Sequence, residues 1–342
     1  MSTAAATDAM DAREARRLLD LVDAFVGRRA LVIGDVMLDE YVYGSVDRVS
    51  PEAPVPVVAL ARREAQPGGA ANVALNLASL GAAVSLVGLR GDDETGERLG
   101  ATLAAAGIDD AHLVTSGTRR TTRKTRVMAQ GQQLLRVDTE DDSPPSEEEE
   151  ARLWAAIEPL VETRPEVVVF EDYDKGVLSA SLIARVVAKA RRLGIPTVVD
   201  PKLRNFWDYR GVTLFKPNLK EIRAALPGRL VDGGEVGSLR AGHTALRERL
   251  GHEVSLVTLG AGGAFVEADG FHRLAPAHRR RIADVCGAGD TVVATTAMAL
   301  AAGAGVADLL ALANLAGGLA CEYVGVHPIR REDFVRGLGA LD

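Results

Sequence analysis

Apolar residues recur along this chain with two spacings, and the two alternate in blocks. Near the start, Ala15, Leu18, Leu19, Val22 and Phe25 fall three or four apart, which predicts a helix running to about Val26. "RALVIGDVML" follows as a continuous apolar run closing in a polar turn, the pattern of a buried strand. Segment 69–81 reads as a helix and 84–89 as the next strand. Further on the alternation is regular. Strands are predicted at "EVVVF", "PTVVD", "TLFKPN", "VSLVTLG" and "GAFVEA", with helices over 179–193, 219–226 and 242–250. Strands alternating with helices are joined by crossovers, so the predicted class is α/β, a doubly wound, mainly parallel sheet flanked by helices. One domain is expected to take the whole of 1–342.

Two stretches break this pattern. "YVYGSVDRVSPEAPVPVVAL" is rich in Val and Tyr but carries three prolines, which suits an edge strand or projecting flap. "RTTRKTRVMAQGQQLLRVD" alternates like a strand, with a turn expected at Gly131. The two, at about 41–61 and 119–138, are expected to pair as a small β-sheet lid outside the main sheet. Between lid and α/β repeat lies the acidic connector "DTEDDSPPSEEEEARLWAAI", where Ser146 and Glu149 have the spacing of a capping box.

Composition removes several classes of function. A net charge of −7 argues against a general nucleic-acid binder. Two cysteines, Cys286 and Cys321, make neither a disulfide framework nor a zinc-ligand spacing, and the six histidines form no HExxH. The first residues lack the basic-then-apolar order of a signal peptide. The long apolar stretch after Asp290 is interrupted by glycines and Asp308, so no membrane span is expected and a cytoplasmic location is.

Open α/β sheets bind ligands beyond the carboxyl ends of their strands, and five polar clusters fall at such places. In "DVCGAGDTVVA", Gly287, Ala288 and Gly289 precede an apolar helix. Small residues let backbone amides approach a ligand, and a helix N-terminus favours an anion such as phosphate. Asp290 reads either as an ordinary N-cap of that helix or as a base beside the anion. In "FKPNLKEI", Asn218 and Glu221 read as a cap pair, or as a carboxamide and carboxylate holding hydrated magnesium. Asp35 and Asp39, with Gly68, Gly69 and Asn72, suit the vicinal hydroxyls of a sugar or belong to turns. Asp172, Tyr173 and Lys175 close one strand, and Asp200 and Lys202 the next, as site groups or as caps and surface pairs. "LVTLGAGGAFV", with Thr258, Gly260 and Gly263, is a plain hairpin or a flat backbone surface for a nucleotide. Five clusters directed at one sheet edge are better explained by one site than by five separate caps.

These residues carry a resemblance. "GGAANVALNLASLG" and "DVCGAGDTVVA" resemble the two signatures of the ribokinase-like (PfkB) carbohydrate kinases, and nearly the whole chain follows that family's order. "GDVMLDEYVYGSVDRVSPEAPVPVV", supported by "QQLLRVD", "DYDKGVLS" and "VVDPK", is similar to the D-glycero-β-D-manno-heptose-7-phosphate kinases, in a stand-alone kinase form. The resemblance implies a ribokinase-like fold with a β lid, a homodimer formed through that lid, and ATP-dependent phosphorylation of the anomeric hydroxyl for ADP-heptose and lipopolysaccharide core. It implies ATP and Mg2+ as cofactors, with a monovalent cation such as K+ as a further candidate. On this chain Asp290 would be the general base and the amides around Gly287, Ala288 and Gly289 the oxyanion cradle. Asn218 and Glu221 would position magnesium through water. Asp35, Asp39, Gly68, Gly69, Asn72, Asp172 and Lys175 would hold the sugar, and Arg48, Lys124 and Arg126 its existing phosphate. Lys202, Thr258, Gly260, Gly263 and Asn314 would contact the nucleotide. Two features depart from the family pattern: Cys286 stands where threonine is expected, and Glu171 and Asp174 make the "EDYDKG" region more acidic. The alternatives are another sugar or nucleoside kinase of this family and a non-catalytic sugar- or nucleotide-binding regulator, though a pure binder needs no base at Asp290.

Overall fold

The computed structural model describes residues 11–228, 235–278 and 280–339. The elements begin with α1 (Ala12–Asp23), β1 (Arg29–Gly34), β2 (Val36–Val49), β3 (Pro56–Gly69), α2 (Ala70–Ser79), β4 (Ala83–Gly91), α3 (Glu94–Ala105) and β5 (Leu113–Ser116). Then come β6 (Arg123–Ala129), β7 (Gln132–Thr139), α4 (Glu147–Glu162), β8 (Val167–Glu171), α5 (Ala180–Leu193), β9 (Thr197–Asp200) and β10 (Leu214–Phe215). The remainder is α6 (Leu219–Ala225), α7 (Val236–Leu250), β11 (Val254–Thr258), β12 (Ala264–Ala268), β13 (Phe271–Ala275), α8 (Ala288–Ala301), α9 (Val306–Ala320) and α10 (Arg331–Gly339).

Nine strands form the main sheet, in the order β13-β12-β11-β10-β9-β8-β1-β4-β5. From β11 to β5 every pairing is parallel, while β12 and β13 add antiparallel at one edge. The expected doubly wound, mainly parallel sheet is therefore present. Its strands read as unbroken apolar runs because both faces are buried. In β8, Val167 and Val169 join the core under α2, α8 and α9, whereas Val168 and Phe170 join the core under α4, α5 and α7. The order runs outward from β1 in both directions, so the chain reverses between β1 and β8, the place where such sheets open a crevice.

The second sheet has the order β3-β2-β6-β7. Its boundaries differ from the expected ones: it starts at Val36, β3 runs on to Gly69, and the second excursion spans 123–139. "RALVIGDVML" is thus two strands in two sheets, broken at Asp35. The backbone of Asp35 is held on both sides, its N–H donating to Glu171 O (3.0 Å) and its carbonyl accepting from Ala70 N (3.0 Å), which turns the chain out of the main sheet. Strands β5 and β13 and helix α10 were absent from the pattern; β13, "FHRLA", is too polar to stand out. "TLFKPN" is regular only over Leu214–Phe215, and α7 starts at Val236, ahead of the apolar run that signals it. The capping box at α4 forms as expected: Ser146 Oγ accepts from Glu149 N (3.2 Å) and Glu149 Oε2 from Ser146 N (2.8 Å).

Candidate active site

Helix α8 starts at Ala288 behind Gly287, whose φ of +73° is the left-handed conformation that side-chain-bearing residues rarely adopt. Thr291 N closes the first turn on Gly287 O (2.9 Å), and an added Cβ at Gly287 would stand 3.0 Å from Asn72 Nδ2. Asp290 is therefore the third residue of the helix and not its N-cap, which corrects the simpler of the two readings. No side chain caps this end of α8, and Gly289 is exposed; the Ala288 N–H donates to Val285 O (3.4 Å).

The Asp290 carboxylate is 5% exposed. One oxygen accepts from Asn72 Nδ2 (2.6 Å) and the other from the Tyr173 hydroxyl (2.7 Å). Burial pushes its pKa up to about 6; the two hydrogen bonds oppose that rise, and the charges of Asp200 and Asp39 add to it. Asn72 sits at the start of α2, and its own carbonyl oxygen accepts from Asn76 Nδ2 (3.0 Å). Asn76 in turn accepts from Thr291 Oγ on α8 (3.1 Å), so a closed polar chain ties α2 to α8 and fixes the carboxylate.

Tyr173 stands in the polar cluster expected after β8 but without an assigned role, whereas its neighbour Asp172 is assigned to the sugar. The structure exchanges them. Asp172 faces the opposite core, accepting from Tyr209 OH (2.6 Å), Asn205 Nδ2 (3.2 Å) and Asp174 N (2.9 Å), and burial lifts its pKa to about 6. Asp35, a candidate for sugar contact, makes backbone contacts in this fold. Its carboxylate accepts the backbone N–H groups of Tyr173 (2.7 Å), Lys175 (3.0 Å) and Val177 (3.0 Å), so it shapes the loop that delivers Tyr173 to Asp290. The Lys175 ammonium is turned to Glu140 (2.9 Å).

The second sheet covers one side of this site. Asp39 is ion-paired with Arg126, whose guanidinium lies 5.3 Å from the Tyr41 ring centre. Lys124, opposite Asp39 in the β2–β6 register, stands 5.5 Å from the Tyr173 ring, and burial lowers its pKa. Tyr41 OH lies 3.7 Å from Cys286 Sγ, so the residue found in place of threonine is where the second sheet touches the α8 loop. Gly68 and Gly69 end β3; Gly69 has φ +58°, and a Cβ there would overlap the Asp35 carbonyl oxygen at 2.3 Å. Arg48 is not brought in: it is exposed, nine residues along β2 from Asp39, about 30 Å at strand rise.

On the other side, Asn218 and Glu221 form the capping box of α6, with Glu221 Oε2 accepting from Asn218 N (2.8 Å) and Asn218 Oδ1 from Glu221 N (2.9 Å). Lys202 links this pair to Tyr173, the hydrogen-bond partner of Asp290: its ammonium is 3.1 Å from Glu221 Oε1 and 5.0 Å from the Tyr173 ring centre. Burial works against the charged lysine, but Asp200, Glu221 and Glu171 outweigh it and raise its pKa. The two oxygens of Glu221 each have one partner, which leaves lone pairs for the water shell of a hydrated magnesium while filling the direct positions. Asn218 forms a bridge with Thr258, which leads into the turn at Gly260–Gly262. Gly263 packs against 275–277, and Asn314 of α9 donates to Pro276 O (2.8 Å), so the expected nucleotide contacts share one region.

Asp284 was missed by the sequence reading. It accepts from Val285 N (2.7 Å), Cys286 N (3.1 Å) and Gly325 N (3.0 Å) and so holds the loop in front of α8. Nothing local distinguishes it from a surface aspartate.

The arrangement is a buried carboxylate at a helix start without a side-chain cap, in the crevice of a doubly wound sheet, with a capped carboxylate–lysine pair nearby. Residues 28–331 match the pfkB family carbohydrate kinase profile. The "Bifunctional protein HldE" of Caulobacter vibrioides is 44% identical over 91% of this chain, and that of Bradyrhizobium diazoefficiens 43% over 89%. The chain spans 64% and 62% of the length of those two relatives. Among solved structures, phosphofructokinase-2 from Escherichia coli in complex with potassium superposes with a TM-score of 0.76 at 21% identity, covering 92% of this chain and 99% of that one. Arabidopsis thaliana ribokinase complexed with ribose and ATP does so at 0.70 and 18%, over 92% and 99%. These likenesses show the ribokinase-like fold. Fold, helix-start geometry and the match over most of its length together place this chain in the pfkB family of carbohydrate kinases.

Proposed function

We propose that this carbohydrate kinase transfers the γ-phosphoryl group of ATP to the anomeric C1 hydroxyl of D-glycero-β-D-manno-heptose 7-phosphate. The product is the 1,7-bisphosphate, a precursor of ADP-heptose for lipopolysaccharide core. The observation that carries the reading is the Asp290 carboxylate, buried but held ionisable by Asn72 and Tyr173 at the open end of α8. Asp290 takes the hydroxyl proton as the sugar oxygen attacks phosphorus, and an anomeric hydroxyl, more acidic than an ordinary alcohol, needs only a modest base. The amides of Gly287, Ala288 and Gly289 stabilise the charge on the transferred group. Asn218 and Glu221 would hold magnesium through its water shell, and the ion would neutralise phosphate charge. Lys202 adds a fixed positive charge on the same side. The turn at Gly260–Gly263, Thr258 and Asn314 flank the adenine.

The heptose assignment rests on the resemblance of the "GDVMLDEYVYGSVDRVSPEAPVPVV" stretch and on the charges beside Asp290. Lys124 and Arg126 project from the same face of β6, beside Tyr173 and Tyr41, and suit the 7-phosphate. Exposed Val49, Val55, Leu60, Leu134, Leu135 and Val137 on the second sheet and its tip suit a homodimer through that sheet. The test is a kinase assay across heptose 7-phosphate, fructose 6-phosphate, ribose and adenosine, with the product's phosphate located by NMR. Phosphate at C1 of the heptose is expected. Turnover confined to a primary hydroxyl sinks the proposal.

A further inference from the structure

Beneath Asp290 lies a second carboxyl group that the proposed mechanism does not use. Glu171 is the last residue of β8 and is 0% exposed. Neither of its oxygens has a hydrogen-bond partner among the described residues. By strand alternation it shares the face of Val167 and Val169, the face on which α2 and α8 pack. In register beside it on β9 is Asp200, on the same face as Val198; on the other side, β1 presents only Gly34. The charged and titratable groups around it are Asp200 from β9, Asp290 from α8, Tyr173 from its own loop, and Lys202 and Lys216 from the segments after β9 and β10.

These groups do not share their partners evenly. Lys216 is committed to Asp200 (2.7 Å) and Lys202 to Glu221 (3.1 Å). Asp290 has two donors, from Asn72 and Tyr173. Glu171 has none. Two neighbouring buried carboxyl groups do not both ionise, and the proton settles on the one whose anion is less well solvated by donors. Burial first, then the charges of Asp200 and Asp290, drive the pKa of Glu171 up against the pull of Lys202 and Lys216.

We propose that Glu171 carries a proton in the working enzyme and is a positioning residue for Asp290, the neutral member of a carboxyl pair whose anion is the base. Its neutrality keeps negative charge from collecting beneath the α8 amides, where the transferred phosphoryl group would bind. Loss of that proton at alkaline pH places a second anion beside Asp290 and weakens nucleotide binding. The kinetic part rests on the reading of Asp290 as base; the protonation itself does not.

The test therefore begins without substrate. Infrared spectra of wild type and Glu171→Gln at neutral pH should differ by the carbonyl band of one neutral carboxyl group, present only in wild type. The linkage has a definite sign. A carboxyl whose folded pKa is raised binds more protons folded than unfolded, so it loses stability as pH climbs from its unfolded value, about 4.3, toward the folded one. Glu171→Gln should then melt higher than wild type at neutral and mildly alkaline pH, with the gap closing on acidification. Glu171→Met, apolar and of similar volume, should fold as well and keep the same sign. With the sugar that the enzyme turns over, wild type should show an alkaline loss of kcat/KM for ATP, carried by KM, which Glu171→Gln lacks. Absence of the band, with both variants melting lower at every pH, means an ionised Glu171 held by the lysines and overturns the proposal. So does an equivalent of Mn2+ bound by wild type and lost in Glu171→Gln. If heptose 7-phosphate is not a substrate, the infrared and melting results stand unaffected.

Discussion

Asp290 has its basicity set by competition between burial and two hydrogen bonds. With a pKa near 6 it is mostly ionised at neutral pH and has to be so to accept a proton, so kcat/KM should fall as pH drops through about 6. Tyr173→Phe removes a donor that lowers this pKa, and the acid limb should move to higher pH, read from the pH–rate profile. Asp290→Asn should reduce turnover by about 10²–10⁴-fold, the usual share of a general base, with nucleotide binding retained in calorimetry. The motif around Asp290 was legible in sequence because small residues and an acid before an apolar helix are local chemistry. Tyr173 was not. Whether Tyr173 or Asp172 turns toward the base depends on three backbone N–H groups converging on Asp35, far away in sequence. Asp35 was legible as a candidate from its place after β1, but not as the acceptor of those three N–H groups.

Helix starts carry most of the site at the scale of elements, and they differ in how they are finished. At α4 and α6 a capping box satisfies the first amides, and both boxes were readable from the three-residue spacing. At α8 the cap is a left-handed glycine and no side chain closes the end, which suits the proposed phosphoryl group. Gly287→Ala should destabilise the fold by about 1–2 kcal/mol from the backbone conformation alone. It also presses on Asn72 Nδ2 at 3.0 Å, so turnover should fall with the melting temperature. Ser146→Ala is the matched control: losing that cap should cost about 1 kcal/mol in denaturant unfolding while leaving kcat unchanged. Element boundaries were less legible than element types. The strand over Asp35 reads as one apolar run because each sheet buries its own part, and the run contains no sign that it changes sheets.

For the molecule as a whole, the second sheet leaves a set of large apolar side chains exposed, among them Leu135 at 47% and Val137 at 52%. Replacing either by aspartate should shift a homodimer toward monomer in light scattering, with KM for the sugar rising if the pairing steadies the second sheet. Among the described residues no helix is long and apolar enough to cross a membrane. By itself the sequence determined the fold class, most of the alternating strands and helices, both capping boxes and the family, since these follow from hydrophobic period, turn chemistry and short motifs. Only the tertiary structure decided which polar groups meet: Tyr173 and Asn72 on Asp290, Asp172 turned away, Arg48 remote, and Glu171 without a hydrogen-bond partner beneath Asp290. The reason is physical. Periodicity encodes which face of an element is buried, but the partner of a buried polar group is chosen by packing between elements tens to about two hundred residues apart, and that choice leaves no period in the chain.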